Sequence, residues 1–235
     1  MKETIATIPL MNAFHADDEC PFCYLEREAE QHAISFILGS AYMEDDIRAE
    51  TDKMGFCRKH LKKIYAVENR LGFALVMKTH MDKVINEIEK RNEQPVKAKT
   101  LFKKAETPSA CDYIKELEQS CFVCNRIQNT FERYVDTVLH LYQSDAAFKE
   151  KYLHSKGFCT AHYGMLIERG AQKFSGSTAE NFRVDTDRLY LENMKRVRDD
   201  VAWFINKFDH KYADEPWKNA KDSLTRAMTK DNSIL

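Results

Sequence analysis

One pattern of cysteine and histidine occurs twice in the chain and limits what the chain can fold into. The segment CPFC is followed by GFCRKH, and later CFVC is followed by GFCTAH. The second copy lies 101 or 102 residues after the first, and six of the seven cysteines belong to the two copies. We interpret the two halves of the chain, each with one copy of the pattern, as a tandem duplication. Two repeats are too few for a solenoid. The repeated residues are Cys20, Cys23, Cys57 and His60, then Cys121, Cys124, Cys159 and His162.

Each copy supplies four side chains that suit a metal ion. Residues three apart on a helix lie on one face, with Cβ atoms about 5–6 Å apart, so CxxC and CxxH each present two ligand atoms together. Two such pairs form the tetrahedral Cys₃His set that Zn²⁺ accepts. The pattern therefore predicts two zinc sites that use all eight residues as ligands. A [4Fe–4S] cluster is the main alternative, because thiolates also hold such clusters. Packing cysteines or a dithiol redox pair are the other interpretations.

The ligands of one site can come from one copy or from both. We expect each site to form within its own half, because closing a shorter loop costs less entropy. The alternative exchanges the halves, so that Cys20 and Cys23 would meet Cys159 and His162. In either case the motifs lie at helix starts, where free N–H groups and the helix dipole stabilise thiolates.

The composition favours helices. Seven Gly and five Pro are few for 235 residues, and apolar residues recur at helical spacing. We predict an all-α protein of two tandem homologous helical units, each organised around one CxxC…CxxH metal site. The first unit spans 1–93, a linker with two prolines spans 94–109, and the second unit spans 110–235 and ends in a C-terminal helix. In the second half we expect one helix over 111–142 and a capping box from Ser177 and Glu180.

Charge and hydropathy exclude several functional classes. The formal net charge is −1 at pH 7, so no overall field attracts nucleic acid or an anionic membrane. No run approaches the about 20 apolar residues of a membrane span, and the N-terminal segment lacks the apolar region of a signal peptide. We therefore expect a cytoplasmic protein without a membrane partner. The sequence contains no P-loop, GxGxxG, GxSxG or HExxH motif, and Cys111, outside the repeat, is expected to be an ordinary thiol.

The segments CPFC, YMEDDIRAETDKMGFCRKH and NRLGFAL resemble a bacterial family known as a domain of unknown function. Its members carry CPxC near the N-terminus and GFCxxH followed by an NxLG-like segment, and the resemblance covers nearly the whole chain. Some members are labelled as ABC-transporter substrate-binding proteins, a label we do not expect for a sequence without an evident leader. The resemblance implies a cytosolic bacterial protein and brings no established activity. CFVC lacks the proline of CPxC, which leaves the ligands intact.

Three functions fit these observations. The first is a structural metal-binding protein that presents helical surfaces to a protein partner. A site closed by four protein ligands has no open position for substrate, which disfavours hydrolytic catalysis. The second is an iron–sulfur or thiol redox protein or sensor. The third, and least favoured, is a nucleic-acid-associated regulator that uses the basic residues between Arg58 and Lys63, a run more typical of a solvated helix face.

Overall fold

The computed structural model describes residues 7–93 and 107–232 and is 80% helical. Those two ranges contain no β-strand, so the all-α prediction is confirmed. None of the helices in them combines the length and the hydropathy needed to cross a bilayer. Short 3-10 turns lie at Ala41–Met43 and His210–Tyr212. The helices are α1 (Thr7–His15), α2 (Pro21–Leu38), α3 (Asp45–Met54), α4 (Arg58–Ala66), α5 (Arg70–Asn92), α6 (Ser109–Glu118), α7 (Phe122–Ser144), α8 (Ala146–Leu153), α9 (Thr160–Lys173), α10 (Gly176–Asn206) and α11 (Ser223–Asn232).

Side-chain caps fix two of the helix starts. Asp145 precedes α8, and its carboxylate accepts a hydrogen bond from the N–H of Phe148 at 2.9 Å. Asn69 precedes α5, and its Oδ1 accepts from the N–H of Gly72 at 2.9 Å. Both contacts satisfy an N–H group that has no partner within its helix. Asn69 also donates from Nδ2 to the carbonyl of Leu38 at 2.7 Å, which ties the start of α5 to the end of α2.

The single helix predicted over 111–142 is wrong, because the chain breaks between α6 and α7. Ser120 lies in the break, and its Oγ donates to the carbonyl of Met54 at 2.6 Å. The break places Cys121 immediately before the first turn of α7. A contact distant in sequence therefore overrides the continuous apolar pattern of this segment.

The predicted capping box is also wrong. The helix α10 begins at Gly176, one residue before Ser177, and Ser175 precedes it without a side-chain cap. Glu180 forms an ion pair with Arg183 at 2.7 Å. The ion pair with Arg183, one turn further along α10, thus uses the Glu180 carboxylate that the capping box would need.

The chain divides into two compact units, which group the residues differently from the two predicted halves. The split unit combines Met1–Arg27 with Phe131–Leu235, and the continuous unit is Glu28–Thr130. The divisions between them fall inside α2 and α7. Residues 94–106 of the predicted linker lie outside the described residues, while Ser109 already begins α6. The repeat boundaries at 1–93 and 110–235 stay a prediction about the sequence.

Aromatic side chains form much of the core of the split unit. Tyr152 on α8 is fully buried, and its hydroxyl lies 2.7 Å from Oγ1 of Thr186 on α10. A buried tyrosine hydroxyl needs such a partner. The ring of Tyr152 also contacts four other aromatic rings, those of Phe14, Tyr142, Phe158 and Phe182.

A second apolar cluster forms the core of the continuous unit. It joins the second half of α2 to α4, α5 and the first turn of α7, through Ile37, Ile64, Val76, Phe122 and Val123. The N–H of Phe122 donates to the carbonyl of Gly55 at 3.0 Å. This packing brings the turn before α7 against the turn before α4.

Candidate metal centres

The structure gathers the eight predicted ligands into two groups. Cys20, Cys23, Cys159 and His162 form the split-unit site, and Cys57, His60, Cys121 and Cys124 form the continuous-unit site. In each group the four ligand atoms all lie within 4.8 Å of one another, close enough to hold a metal ion. Each group combines the CxxC of one sequence half with the CxxH of the other. The prediction that each site forms within its own half is therefore wrong, and the exchanged arrangement is the one observed.

The split-unit site is closed to solvent. Nδ1 of His162 lies 3.5 Å from the sulfurs of both Cys20 and Cys23 and 3.2 Å from that of Cys159. All four side chains are buried. The rings of Phe22 and Phe131 lie against the imidazole, with centroids 5.6 and 5.2 Å away. These rings surround the polar group with apolar surface, which favours tight electrostatic contacts within it.

The continuous-unit site has the same geometry and a different exposure. Nδ1 of His60 lies 3.3 Å from the sulfurs of Cys57 and Cys124 and 3.2 Å from that of Cys121. The sulfurs of Cys57 and Cys124 are 3.9 Å apart. His60 and Cys121 are buried, but Cys57 is half-buried and Cys124 is exposed. Solvent therefore reaches one side of this group.

Two glycines aim the CxxH pairs at their sites. Gly55 and Gly157 have φ angles of +58° and +74°, a region that side chains with a Cβ rarely adopt. A Cβ at Gly55 would lie 2.7 Å from the ring of His80, and one at Gly157 would lie 2.9 Å from the carbonyl oxygen of Leu189. Conformation and space both require glycine at these turns.

A glutamate supports the imidazole of the continuous-unit site. Oε1 of Glu30 on α2 lies 3.0 Å from Nε2 of His60. An imidazole that binds a metal through Nδ1 carries its proton on Nε2, so His60 would donate to this carboxylate. Lys59 forms an ion pair with Oε1 of Glu30 at 2.9 Å, and Lys63 forms one with Oε2 of Glu30. Burial alone would raise the pKa of Glu30, but its hydrogen bonds with Lys63 and Lys59 lower that pKa to about 2.

The split-unit site has a looser counterpart. Oε1 of Glu26 lies 3.6 Å from Nε2 of His162, and its side chain is partly exposed. This distance is longer than a direct hydrogen bond. The contact between Glu26 and His162 is therefore weaker than the one between Glu30 and His60.

The two sites join their turns by different means. In the continuous unit Ser120, just before Cys121, donates to Met54, three residues before Cys57. In the split unit the equivalent positions are Glu19 and Lys156. Lys230 on α11 bridges them, because its ammonium donates to the carbonyl of Glu19 at 2.6 Å and to that of Lys156.

Lys230 is itself buried, at 1% exposure, and lies 3.4 Å from Oε2 of Glu19. Arg196 contacts the same carboxylate oxygen at 2.5 Å. Burial lowers the pKa of Lys230, although Glu19 and Cys20 act in the opposite direction. Glu19 and Cys20 thus both favour the charged form of Lys230, against the effect of its burial.

The acidities of the site residues also reflect their packing. Burial, together with neighbouring Cys159 and Cys23, raises the pKa of Cys20 well above its usual value. Hydrogen bonds with Cys20 and Cys23 instead hold the pKa of Cys159 well below the usual value of a cysteine thiol. Burial opposes a charge on His162, yet its hydrogen bonds with Cys159 and Cys23 raise its pKa to about 11. Cys159 and Cys23 thus favour a protonated His162, and metal binding through Nδ1 would release that proton.

Sequence reasoning missed Glu26, Glu30, Ser120 and Lys230. The positions of Glu26 and Glu30 in the first motif correspond to Ile127 and Phe131 at the 101-residue offset, so the repeat gives no signal for them. Lys230 lies in neither motif. Lys59, which lies between Cys57 and His60 in the sequence, is paired with Glu30. Cys111 is exposed and belongs to neither group.

Comparison with known proteins returns a single result. A family model described as a family of unknown function (DUF6062) matches residues 1–235. No curated protein and no solved structure matches the chain. The resemblance drawn from the cysteine and histidine motifs is confirmed, and these motifs are consistent with the two groups in the structure.

Proposed function

The chain belongs to this family of unknown function, and we propose that it is a structural zinc protein that binds one Zn²⁺ in each unit. The ligands are Cys20, Cys23, Cys159 and His162 in one site and Cys57, His60, Cys121 and Cys124 in the other. The proposal rests on the residues and on their distances from one another.

The distances between ligand atoms carry the proposal. With Zn–S near 2.3 Å and Zn–N near 2.0–2.1 Å, a tetrahedron places two sulfurs about 3.8 Å apart and a sulfur and a nitrogen about 3.6 Å apart. The sulfurs of Cys57 and Cys124 are 3.9 Å apart. Nδ1 of His60 and Nδ1 of His162 each lie 3.2–3.5 Å from three sulfurs. One small ion fits between these atoms.

A [4Fe–4S] cluster fits less well. Each of its ligands binds a different iron of the cluster, so the four ligand atoms lie further apart than they do around a single ion. Both groups hold their ligand atoms within 4.8 Å. The mixed sulfur and imidazole set also suits zinc, which has no geometric preference of its own.

The proposed metals have a structural role. Four protein ligands complete the coordination of Zn²⁺ and leave no position for water or substrate. The ligand pairs lie at the starts of α2 and α9 in one unit and of α4 and α7 in the other. Each ion would thus hold two helix starts together, and its binding free energy would add to the free energy of folding. The helices held in this way would present surfaces to a protein partner in the cytoplasm, where reducing conditions keep thiols available.

A second candidate function follows from the exposure of the continuous-unit site. Cys124 is exposed and Cys57 is half-buried, so an oxidant can reach these sulfurs directly. Accessible thiolates are the typical sites of reversible oxidation. A redox or sensor role is therefore the alternative to a purely structural one.

Metal analysis and one pair of variants test the proposal. We expect protein purified without oxygen to hold about two Zn²⁺ per chain by elemental analysis, from two complete ligand sets. Cys57→Ser should lose one zinc and melt at a lower temperature, while Cys111→Ser, which changes an exposed thiol outside both groups, should keep both zinc ions and the melting temperature. A wild-type zinc content below one per chain would refute metal binding. Loss of zinc from Cys57→Ser without loss of stability would favour the sensor role.

A further inference from the structure

The split unit contains a second polar feature, a pocket on the side of α10 and α11. Its volume is about 640 Å³, within the usual range for small-molecule sites. Most of its charged lining is basic, with Asp17 and Asp222 as the acidic members. We call it the basic pocket, and its five cationic residues are Lys156, Arg196, Lys218, Lys221 and Arg226.

Three of these cations are held by carboxylates. Lys156 pairs with Asp17 at 2.5 Å, and Arg196 pairs with the buried Glu19 at 2.5 Å. Arg226 pairs with Asp200 at 2.8 Å and with Asp222 at 3.0 Å. Such contacts fix the direction of each charged group before any ligand arrives, which lowers the entropy cost of binding.

The other two cations are not neutralised. Lys218 and Lys221 form no ion pair with any residue in the described ranges 7–93 and 107–232. Glu19, at the back of the network, is also compensated by the buried Lys230. The pocket therefore retains an excess of positive charge on two side chains that belong to the loop between α10 and α11.

The backbone of that loop is strained at Lys218. Its φ angle is +51°, and it is the one non-glycine residue with positive φ in the described part of the chain. Its ammonium lies 3.8 Å from the ring centroid of Trp203, and Nε1 of Trp203 donates to the carbonyl of Pro216 at 3.0 Å. Strain of this kind persists where the surroundings impose it, and it occurs preferentially at binding sites.

Asparagine amides complete the lining. Asn193 on α10 and Asn219 in the loop both face the pocket, and Arg226 donates to the carbonyl of Asn219. Fixed guanidinium groups and two ammonium groups without an ion pair together suit tetrahedral oxyanions that carry more than one charge. A pocket of this size has room for a small molecule attached to such a group.

We infer that the basic pocket binds a small phosphorylated anion, with Lys218 and Lys221 supplying the charge that the bound carboxylates do not neutralise. Arg196, Arg226 and Asn219 border the bound anion. The inference concerns a pocket outside both Cys/His groups and does not depend on zinc binding. Since the chain as a whole carries a net charge of −1, the positive charge is local to the pocket, which favours a small ligand over an extended nucleic acid.

Isothermal titration of the full chain with inorganic pyrophosphate tests this inference. We expect saturable binding at one site per chain, with weaker binding of inorganic phosphate and still weaker binding of citrate. The double variant Lys218→Asn/Lys221→Ala removes both uncompensated charges and keeps a residue that tolerates positive φ. It should weaken pyrophosphate binding by at least about tenfold, the loss expected when a charge-assisted contact is removed.

Lys195→Ala is the matched control, because Lys195 is exposed on α10 next to Arg196 and does not line the pocket. Its pyrophosphate affinity should stay within about twofold of wild type, as expected for an exposed charge that does not line the pocket and is screened by solvent and salt. Equal weakening in the control and the double variant would overturn the inference, since it would indicate nonspecific attraction. Pyrophosphate dissociation constants above about 1 mM, or equal affinity for citrate and pyrophosphate, would overturn it too.

Discussion

Lys230 offers the sharpest test of how the split unit is held together. Its ammonium donates to the carbonyls of Glu19 and Lys156 and forms an ion pair with the carboxylate of Glu19. Lys230→Met keeps a side chain of similar length and removes all three contacts. The two carbonyls would lose a charged donor in a buried place, where an unmet hydrogen bond costs about 1–3 kcal/mol each.

Two effects reduce this cost. Burial already lowers the pKa of Lys230, so a neutral side chain recovers part of the desolvation penalty of the charge. Arg196 still pairs with Glu19 at 2.5 Å, so the carboxylate does not lose every partner. We therefore expect the low end of the range for breaking a buried ion pair, a loss of about 3 kcal/mol. For a chain of this size that corresponds to a melting temperature lower by about 6–12 °C.

Thermal unfolding followed by far-ultraviolet circular dichroism measures this change. Lys195→Met serves as the control, because its exposed side chain makes no contact of this kind, and surface changes alter stability by about 0.5 kcal/mol or less. If Lys230→Met melts within about 2 °C of the control, the bridge contributes less than about 1 kcal/mol. The proposed clamp between the two turns would then be wrong.

Three shorter predictions concern the sites and their turns. Glu30→Gln should weaken zinc binding in the continuous unit by about 10–100-fold in chelator competition, because it removes the carboxylate that supports His60. The control Glu50→Gln, at an exposed position, should leave the zinc affinity unchanged. Equal zinc affinities for the two variants would contradict the contact between Glu30 and His60. Dilute peroxide should release the zinc held by the exposed Cys124 first, so a chromogenic chelator should report one fast equivalent, and equal rates for both ions would show that exposure is not decisive. Gly157→Ala should destabilise the chain by about 1–3 kcal/mol in denaturant unfolding, because Gly157 has a positive φ. Gly164→Ala should be neutral or stabilising, because Gly164 lies in α9 with open space around it. Similar effects at both positions would refute the steric argument.

Local sequence patterns predicted the parts of the sites that depend on local geometry. The spacing of Cys20 and Cys23, and of Cys159 and His162, determines that each pair shares one helix face, since that spacing is set by the helix itself. The all-α class followed from the scarcity of turn-forming residues and the helical spacing of the apolar ones.

The partner of each pair could not be predicted from loop entropy. Cys23 and Cys57 are 34 residues apart, while Cys23 and Cys159 are 136 apart. This fourfold difference in loop length changes the free energy of loop closure by about 1.2 kcal/mol, since each doubling of loop length costs about 0.6 kcal/mol. The burial of a few apolar side chains outweighs that amount. The packing of helices that are distant in sequence therefore determines which CxxC pair meets which CxxH pair. The same packing places Glu30 beside His60 and Lys230 beside Glu19.

The exchanged pairing also sets an order of completion during synthesis. Cys20 and Cys23 leave the ribosome first, but their partners follow only when His162 has been made. The continuous-unit site needs nothing beyond Cys124, which is 38 residues earlier than His162. At about 5–20 residues per second, that interval lasts about 2–8 s. A nascent chain thus carries one complete ligand set and one waiting thiol pair, and the more exposed of the two groups is the first that could hold a metal ion.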